Sequence, residues 1–126
     1  MPRDYDAMRA VLATAARGDR PSKYGDLWSA VRDESVLRSE LARLGRDGLL
    51  DNGIRFQGGD GCCLGGEASI TEEGREFLNL IENEGVWQLV LRTLTSAGVD
   101  VPYPLLKEVC EEIVKRYVSS FIPDIP

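Results

Sequence analysis

The sequence contains no histidine, and its 126 residues include only three cysteines, Cys62, Cys63 and Cys110. Without imidazole, acid–base or nucleophilic catalysis would have to rest on carboxylates, lysines or thiols. No basic residue adjoins the Cys62-Cys63 pair to activate a thiol, and a zinc site would lack its usual imidazole ligands. We therefore predict that the protein is not an enzyme and that it binds neither a metal ion nor another cofactor.

Long apolar runs are also missing, and the N-terminus leads into an amphipathic segment. This pattern predicts neither a signal peptide nor a membrane span. An odd number of cysteines cannot pair completely within one chain, so reduced thiols are expected. We predict a cytoplasmic protein with no membrane partner and, at 43% hydrophobic residues, one globular unit.

Positive charge is scarce, because 15 Lys and Arg face 21 Asp and Glu for a net charge of −6. Residues 1–48 carry nine basic and eight acidic side chains, whereas residues 49–126 carry six and thirteen. Nucleic-acid-binding proteins usually display a basic patch, since releasing counterions from phosphates supplies much of their affinity. Any contact with DNA should therefore come from the first part of the chain.

Apolar spacing in that first part predicts three helices. Helix one is expected from about Asp4 to Ala16, helix two over Tyr24 to Val31, and helix three after the capping candidates at 33–35. In helix three a narrow stripe of Leu37, Leu41 and Leu44 should face the core. The opposite side carries Ser35, Ser39, Ala42 and Arg46, flanked by Arg38 and Arg43. That side is either a solvated surface or a surface that reads DNA.

A glycine-rich segment follows helix three, which Gly48 should terminate. Residues 53–57 alternate like a strand, residues 58–61 can turn, and residues 62–70 can return as an irregular strand interrupted by Gly65-Gly66. Arg55 is the one basic residue of this hairpin, and Thr71 is a good N-cap for the next helix. Three helices, a hairpin and a capped helix in this order predict a winged helix-turn-helix.

Two further amphipathic segments follow. One, which contains Trp87, should end near Gly98, and the other should start after Pro102. The predicted fold class is thus mainly α with a small β-hairpin, a winged helix-turn-helix followed by two or three C-terminal helices. We expect a winged-helix domain at residues 1–83, a helical extension packed on it at 84–121, and a frayed tail at 122–126.

The chain resembles a family of small phage and prophage winged-helix proteins of unknown function. The resemblance lies in the opening residues 3–9, in residues 41–50, in the Ile-Thr-Glu-Glu-Gly-Arg-Glu-Phe-Leu sequence of residues 70–78, and in Val86-Trp87. It implies a winged-helix fold and an origin in a mobile element. It assigns no catalytic or ligand-binding residue.

Two functions fit these expectations. The first is a DNA-binding transcriptional regulator that reads duplex DNA as a homodimer joined through its C-terminal helices; its DNA-binding residues would be Ser35, Arg38, Ser39, Arg43, Arg46 and Arg55. This DNA-binding function requires that internal ion pairs, for instance with Glu34, Glu40 or Asp47, do not neutralise these arginines. The alternative is a protein-binding inhibitor or adaptor that docks on a host or defence complex, as an anti-CRISPR-like mimic of nucleic-acid charge.

Overall fold

The computed structural model describes residues 3–18, 20–57, 63–98 and 100–121. These residues are mainly helical, with six helices and short antiparallel strands. In chain order the elements are α1 Tyr5–Ala16, β1 Ser22–Lys23, α2 Tyr24–Val31, α3 Glu34–Arg46, β2 Leu50–Asn52, β3 Arg55–Phe56, β4 Cys63–Gly65, β5 Glu67–Ile70, α4 Glu72–Ile81, α5 Glu84–Ala97 and α6 Tyr103–Ser119. Residues Arg3–Leu78 form one compact unit, and the described residues from Asn79 onward belong to a second.

Local capping sets where the helices of the first unit begin. The Asp4 carboxylate accepts a hydrogen bond from the Ala7 amide at 2.9 Å, and the Asp33 carboxylate accepts one from Val36 at 3.0 Å. The Thr71 hydroxyl accepts one from the Gly74 amide at 2.9 Å. Each bond satisfies an amide that the first helical turn leaves without a partner. The element bounds confirm the predicted ranges of helices one and two. The bond to Gly74 confirms the predicted cap at Thr71.

A small antiparallel sheet accompanies these helices, with its strands in the order β1, β5, β2. Ser22 lies opposite Ala68, and Leu50 lies opposite Ile70. Strand β1 was not expected, because two residues are too few to show the alternation that marks a strand. The central strand β5 buries Ala68 completely, so this sheet belongs to the core of the unit.

The glycine-rich segment departs from the single hairpin that the sequence predicted. Strands β3 and β4 pair with each other in a separate two-stranded sheet, whereas β2 and β5 belong to the sheet of β1. Gly66, at a φ of +96°, allows this change of direction, and a Cβ there would overlap the Gly53 carbonyl. The Gly53 amide in turn donates to the Glu67 carbonyl at 2.8 Å. The predicted turn at residues 58–61 and Cys62 lie outside the described residues.

A close backbone contact joins the start of α4 to the end of α3. The Thr71 hydroxyl donates to the Gly48 carbonyl at 2.6 Å, and the Thr71 amide donates to the Leu49 carbonyl at 3.1 Å. At Gly74 the helix lies so near that a Cβ would overlap the Leu49 carbonyl oxygen. Only glycine permits this approach, so Gly74 determines how closely α4 packs on the α3–β2 connection.

The second unit contains α5 and α6. The Asn83 side chain caps α5 at the Val86 amide (3.1 Å), and Gly98 ends the helix in a left-handed conformation. Trp87 and Cys110 are buried, and burial raises the pKa of the Cys110 thiol to about 12. Cys110 is therefore a core thiol. The tail predicted for residues 122–126 lies outside the described residues.

None of the helices in the described part of the chain has the length and apolar character that a membrane crossing requires. Within the same ranges, no group of three or more His, Cys, Asp or Glu side chains is arranged to hold a metal ion.

Replacing Gly74 with alanine is expected to destabilise the fold, although alanine is the better helix former. The added methyl group would force α4 away from Leu49, and such overpacking costs about 1–3 kcal/mol of the free energy of unfolding. Gly45→Ala is the matched control, because a Cβ at this α3 position makes only an ordinary 3.6 Å contact with Asn52. The control should gain about 0.5–1 kcal/mol.

Urea unfolding of the two variants tests this contact. A Gly74→Ala protein as stable as the wild type would show that α4 does not pack on Leu49 as described.

Candidate functional site

The outer side of α3 is the candidate functional site. The core side of the helix buries Leu37, Leu41 and Leu44, which confirms the predicted apolar stripe. The regular helix therefore places the polar residues on its other side, within three turns. Ser35, Ala42 and Arg46 are exposed there, and Arg38, Ser39 and Arg43 are half-buried. Five of the six predicted DNA-binding residues thus belong to one helix surface, here called the α3 face (Ser35, Arg38, Ser39, Ala42, Arg43 and Arg46).

Aromatic side chains join this face to the β3–β4 hairpin. The guanidinium carbon of Arg38 lies 4.3 Å from the centre of the Phe56 ring, within the range of a cation–π contact. The Phe56 ring meets Tyr24 edge to face, with 5.6 Å between ring centres. Tyr24 begins α2, so Phe56 fixes the hairpin against the N-terminal ends of both α2 and α3.

The environment of this aromatic pair raises the pKa of the Tyr24 phenol above its ordinary value. Partial burial is the largest cause, electrostatic interactions with Glu34 and Cys63 add to it, and the Arg38 charge has a smaller opposite effect. The pair thus places a hydroxyl group beside the α3 face.

Arg55, the sixth predicted residue, lies apart from the others. It directly precedes Phe56 in β3 and is exposed. The pairing of β3 with β4 shifts register between Arg55 and Phe56. Among the described residues, Arg55 makes no hydrogen bond, ion pair or ring contact with the α3 face.

A buried ion-pair network lies on the flank of α3. The Nε atom of Arg3 donates to Oε1 of Glu40 at 3.0 Å, and its Nη1 atom donates to Oδ2 of Asp47 at 3.3 Å. The Arg3 and Glu40 side chains are only 4% and 1% exposed. Glu40 and Asp47 are two of the three carboxylates named above as possible ion-pair partners of the arginines on the α3 face. Arg3 binds both of them.

Sequence reasoning missed this network, although one signal was present. Glu40 lies between Leu37, Leu41 and Leu44 at the i, i+3, i+4, i+7 spacing of a buried helix side. A carboxylate in such a stripe requires a buried cation. Because Arg3 is separated from Glu40 by 37 residues, the sequence pattern does not identify it as that cation.

Burial is the largest influence on Glu40 and, with a smaller contribution from the Asp4 charge, raises its pKa against the opposing effects of the Arg3 charge and hydrogen bond and of the Arg43 charge. Arg43 therefore interacts electrostatically with the network as well as belonging to the α3 face. Arg46 differs from it: among the described residues, no carboxylate forms an ion pair with its exposed side chain.

The chain matches no family model, no curated protein and no solved structure. Its function therefore has to be inferred from the residues of α3 and the hairpin.

The difference in free energy of unfolding between the wild type and Glu40→Gln is expected to fall as the pH rises. Because the pKa of Glu40 is raised above its ordinary value of 4.5, the folded state binds this proton more tightly than the unfolded chain. The stabilisation from Glu40 is complete below that ordinary value and is lost as the pH rises through the raised pKa. Glutamine does not titrate.

Urea unfolding between about pH 4 and pH 7 measures this difference. Glu76→Gln on the exposed side of α4 is the control for loss of a carboxylate. A difference that grows with pH would mean that the ion pair with Arg3 outweighs burial.

Phe56→Leu is expected to loosen the hairpin while keeping an apolar side chain. It removes the cation–π contact with Arg38 and the edge-to-face contact with Tyr24, which together contribute about 1–2 kcal/mol. The ring-current shift on the Arg38 side chain, measured by NMR, should disappear.

Phe121→Leu is the matched control, because Phe121 makes a similar edge-to-face contact with Tyr117 in the second unit. An Arg38 resonance that responds equally to both substitutions, or to neither, would contradict the contact with Phe56.

Proposed function

We propose that residues 3–78 form a winged helix that binds duplex DNA by inserting α3 into the major groove. The order α1, β1, α2, α3, β2, β5 supports this proposal, as does the arrangement of the strands as β1, β5, β2. Only Arg32 and Asp33 separate α2 from α3, and Arg32 has the left-handed conformation that such a tight turn needs. The β3–β4 hairpin would be the wing.

The observation that carries the proposal is the division of charge around α3. Arg3 binds the carboxylates of Glu40 and Asp47 on one flank, while the exposed Arg46 lies on the α3 face. Arginine is suited to guanine edges and to phosphates, and serine hydroxyls bind phosphate oxygens. Arg38, Arg43 and Arg46 would therefore supply the base and phosphate contacts, and Ser35 and Ser39 would position the helix.

Three arginines on one helix supply little positive charge, so useful affinity calls for two copies on two half-sites. The second unit is the element we assign to a homodimer. It exposes the apolar side chains of Leu105, Val118 and Phe121 on and just after α6. Two copies joined there would read half-sites related by twofold symmetry.

The biological role that fits this chemistry is a non-enzymatic transcriptional regulator of the phage and prophage type that the sequence resembles. The alternative, an inhibitor that docks on a host or defence complex by mimicking nucleic-acid charge, is the function that an absence of DNA binding would favour.

The test is selection of sequences from a random duplex library, followed by titration of the selected duplex at low and physiological salt. Arg43→Glu/Arg46→Glu should weaken binding at least about thirtyfold, because each arginine contact contributes about 1 kcal/mol or more. Arg92→Glu/Thr95→Glu/Ser96→Glu, at exposed positions of α5, changes the charge equally and should bind nearly as the wild type does.

Equal losses in the two variants would mean that net charge alone governs binding and would contradict readout by α3. A wild-type protein that binds no duplex even at low salt would refute the proposed function.

A further inference from the structure

A second cationic surface lies outside the α3 face, along the segment that joins α1 to α2. An open groove there has Arg17, Arg20 and Lys23 among its lining residues. An adjoining groove shares Arg20 with it and adds Arg75 from α4. All four side chains belong to exposed residues of the first unit. We call these four residues the basic track.

Ion pairs neutralise none of this charge within the described part of the chain, since none of the four cations takes part in a side-chain ion pair. Glu67 lies opposite Lys23 across the β1–β5 pair without an ion pair to it. Asp26 is the one carboxylate among the described lining residues of the two grooves, and its Oδ2 atom accepts a hydrogen bond from the Lys23 amide at 3.0 Å. Four cations against this one carboxylate leave the described lining net positive, in a protein of net charge −6.

The open shape of the track favours an extended polyanion over a small anion as its ligand. The grooves are open, and their cations belong to exposed residues on separate elements, so a small anion would stay hydrated and gain little from any one of them. A polyanion gains from all four at once, because each neutralised phosphate releases condensed counterions and no dry pocket is needed. The backbone of a nucleic acid is such a polyanion.

The track is continuous with the candidate site. Lys23 directly precedes Tyr24, whose ring contacts Phe56, and Phe56 lies under Arg38 of the α3 face. From Lys23 the cations continue through Arg20 to Arg17 and Arg75. The part of a bound duplex that extends beyond α3 would thus lie near further positive charge.

We propose that the basic track binds the phosphate backbone of the same DNA duplex, in the flank next to the segment that α3 reads. This inference rests on the proposed function and adds to it a second, sequence-independent contact. The track also adds positive charge to the small amount that the three arginines of the α3 face supply.

The test uses the full chain and a fluorescein-labelled duplex of random sequence, about 30 base pairs or three helical turns long. Binding is titrated between about 50 and 200 mM salt. The track variant is Arg17→Gln/Arg20→Gln/Arg75→Gln. Its matched control, Arg92→Gln/Thr95→Glu/Ser96→Glu, lowers the net charge by the same three units at exposed positions of α5, away from the apolar residues of α6. Arg43→Glu/Arg46→Glu is titrated beside them, and circular dichroism confirms that every variant is folded.

The track variant should bind at least about tenfold more weakly at low salt, and its salt dependence should be shallower by about two to three units of slope, close to 0.9 for each lost phosphate contact. The control should keep the wild-type slope. A track variant that behaves like the control, while Arg43→Glu/Arg46→Glu loses binding, would overturn the track and leave the proposed function intact.

Loss of binding in the track variant alone would support the track and contradict a contact between α3 and this duplex. If the wild-type protein binds no duplex at about 50 mM salt, both proposals fail.

Discussion

The buried charge of Arg3 is the constraint on which the placement of α3 depends. It stands just before the α1 cap at Asp4 and reaches across to Glu40 in the middle of α3 and to Asp47 at its end. Removing one partner of a buried pair leaves an uncompensated charge and typically costs about 3–5 kcal/mol. The network therefore fixes the α3 side that packs inward, and with it the side that faces outward.

The arginines of the first unit consequently differ in role. Arg3 is structural, because its buried guanidinium forms ion pairs with Glu40 and Asp47 inside the protein. Arg38 is held over Phe56, so it joins the hairpin to the helix as well as contributing charge. Arg46 is exposed at the C-terminal end of α3. A count of basic residues in the sequence cannot separate these roles, because each depends on a partner that is distant along the chain.

Local sequence patterns were sufficient to predict the helices, but they did not predict which distant residues contact α3. The caps at Asp33 and Thr71 and the leucine stripe of α3 act within a turn or two, so periodicity and capping chemistry predicted them. The Arg3–Glu40 pair and the pairing of Ser22–Lys23 with β5 join distant segments. The break into two sheets depends on a close approach of Gly53 and Gly66, which composition suggested only as an irregular strand. The site was thus predicted as a helix face, without the aromatic contacts beside it.

An NMR titration of isotope-labelled protein with the duplex selected by the wild type tests most directly whether α3 binds DNA. The NMR signals of the Ser35, Ser39 and Ala42 amides and of the Arg46 guanidinium are expected to shift on binding, because these groups would enter the major groove. Shifts that are absent from α3 and confined to α4, α5 and α6 would contradict DNA binding by α3 and would mean that the outward surface of α3 is only solvated.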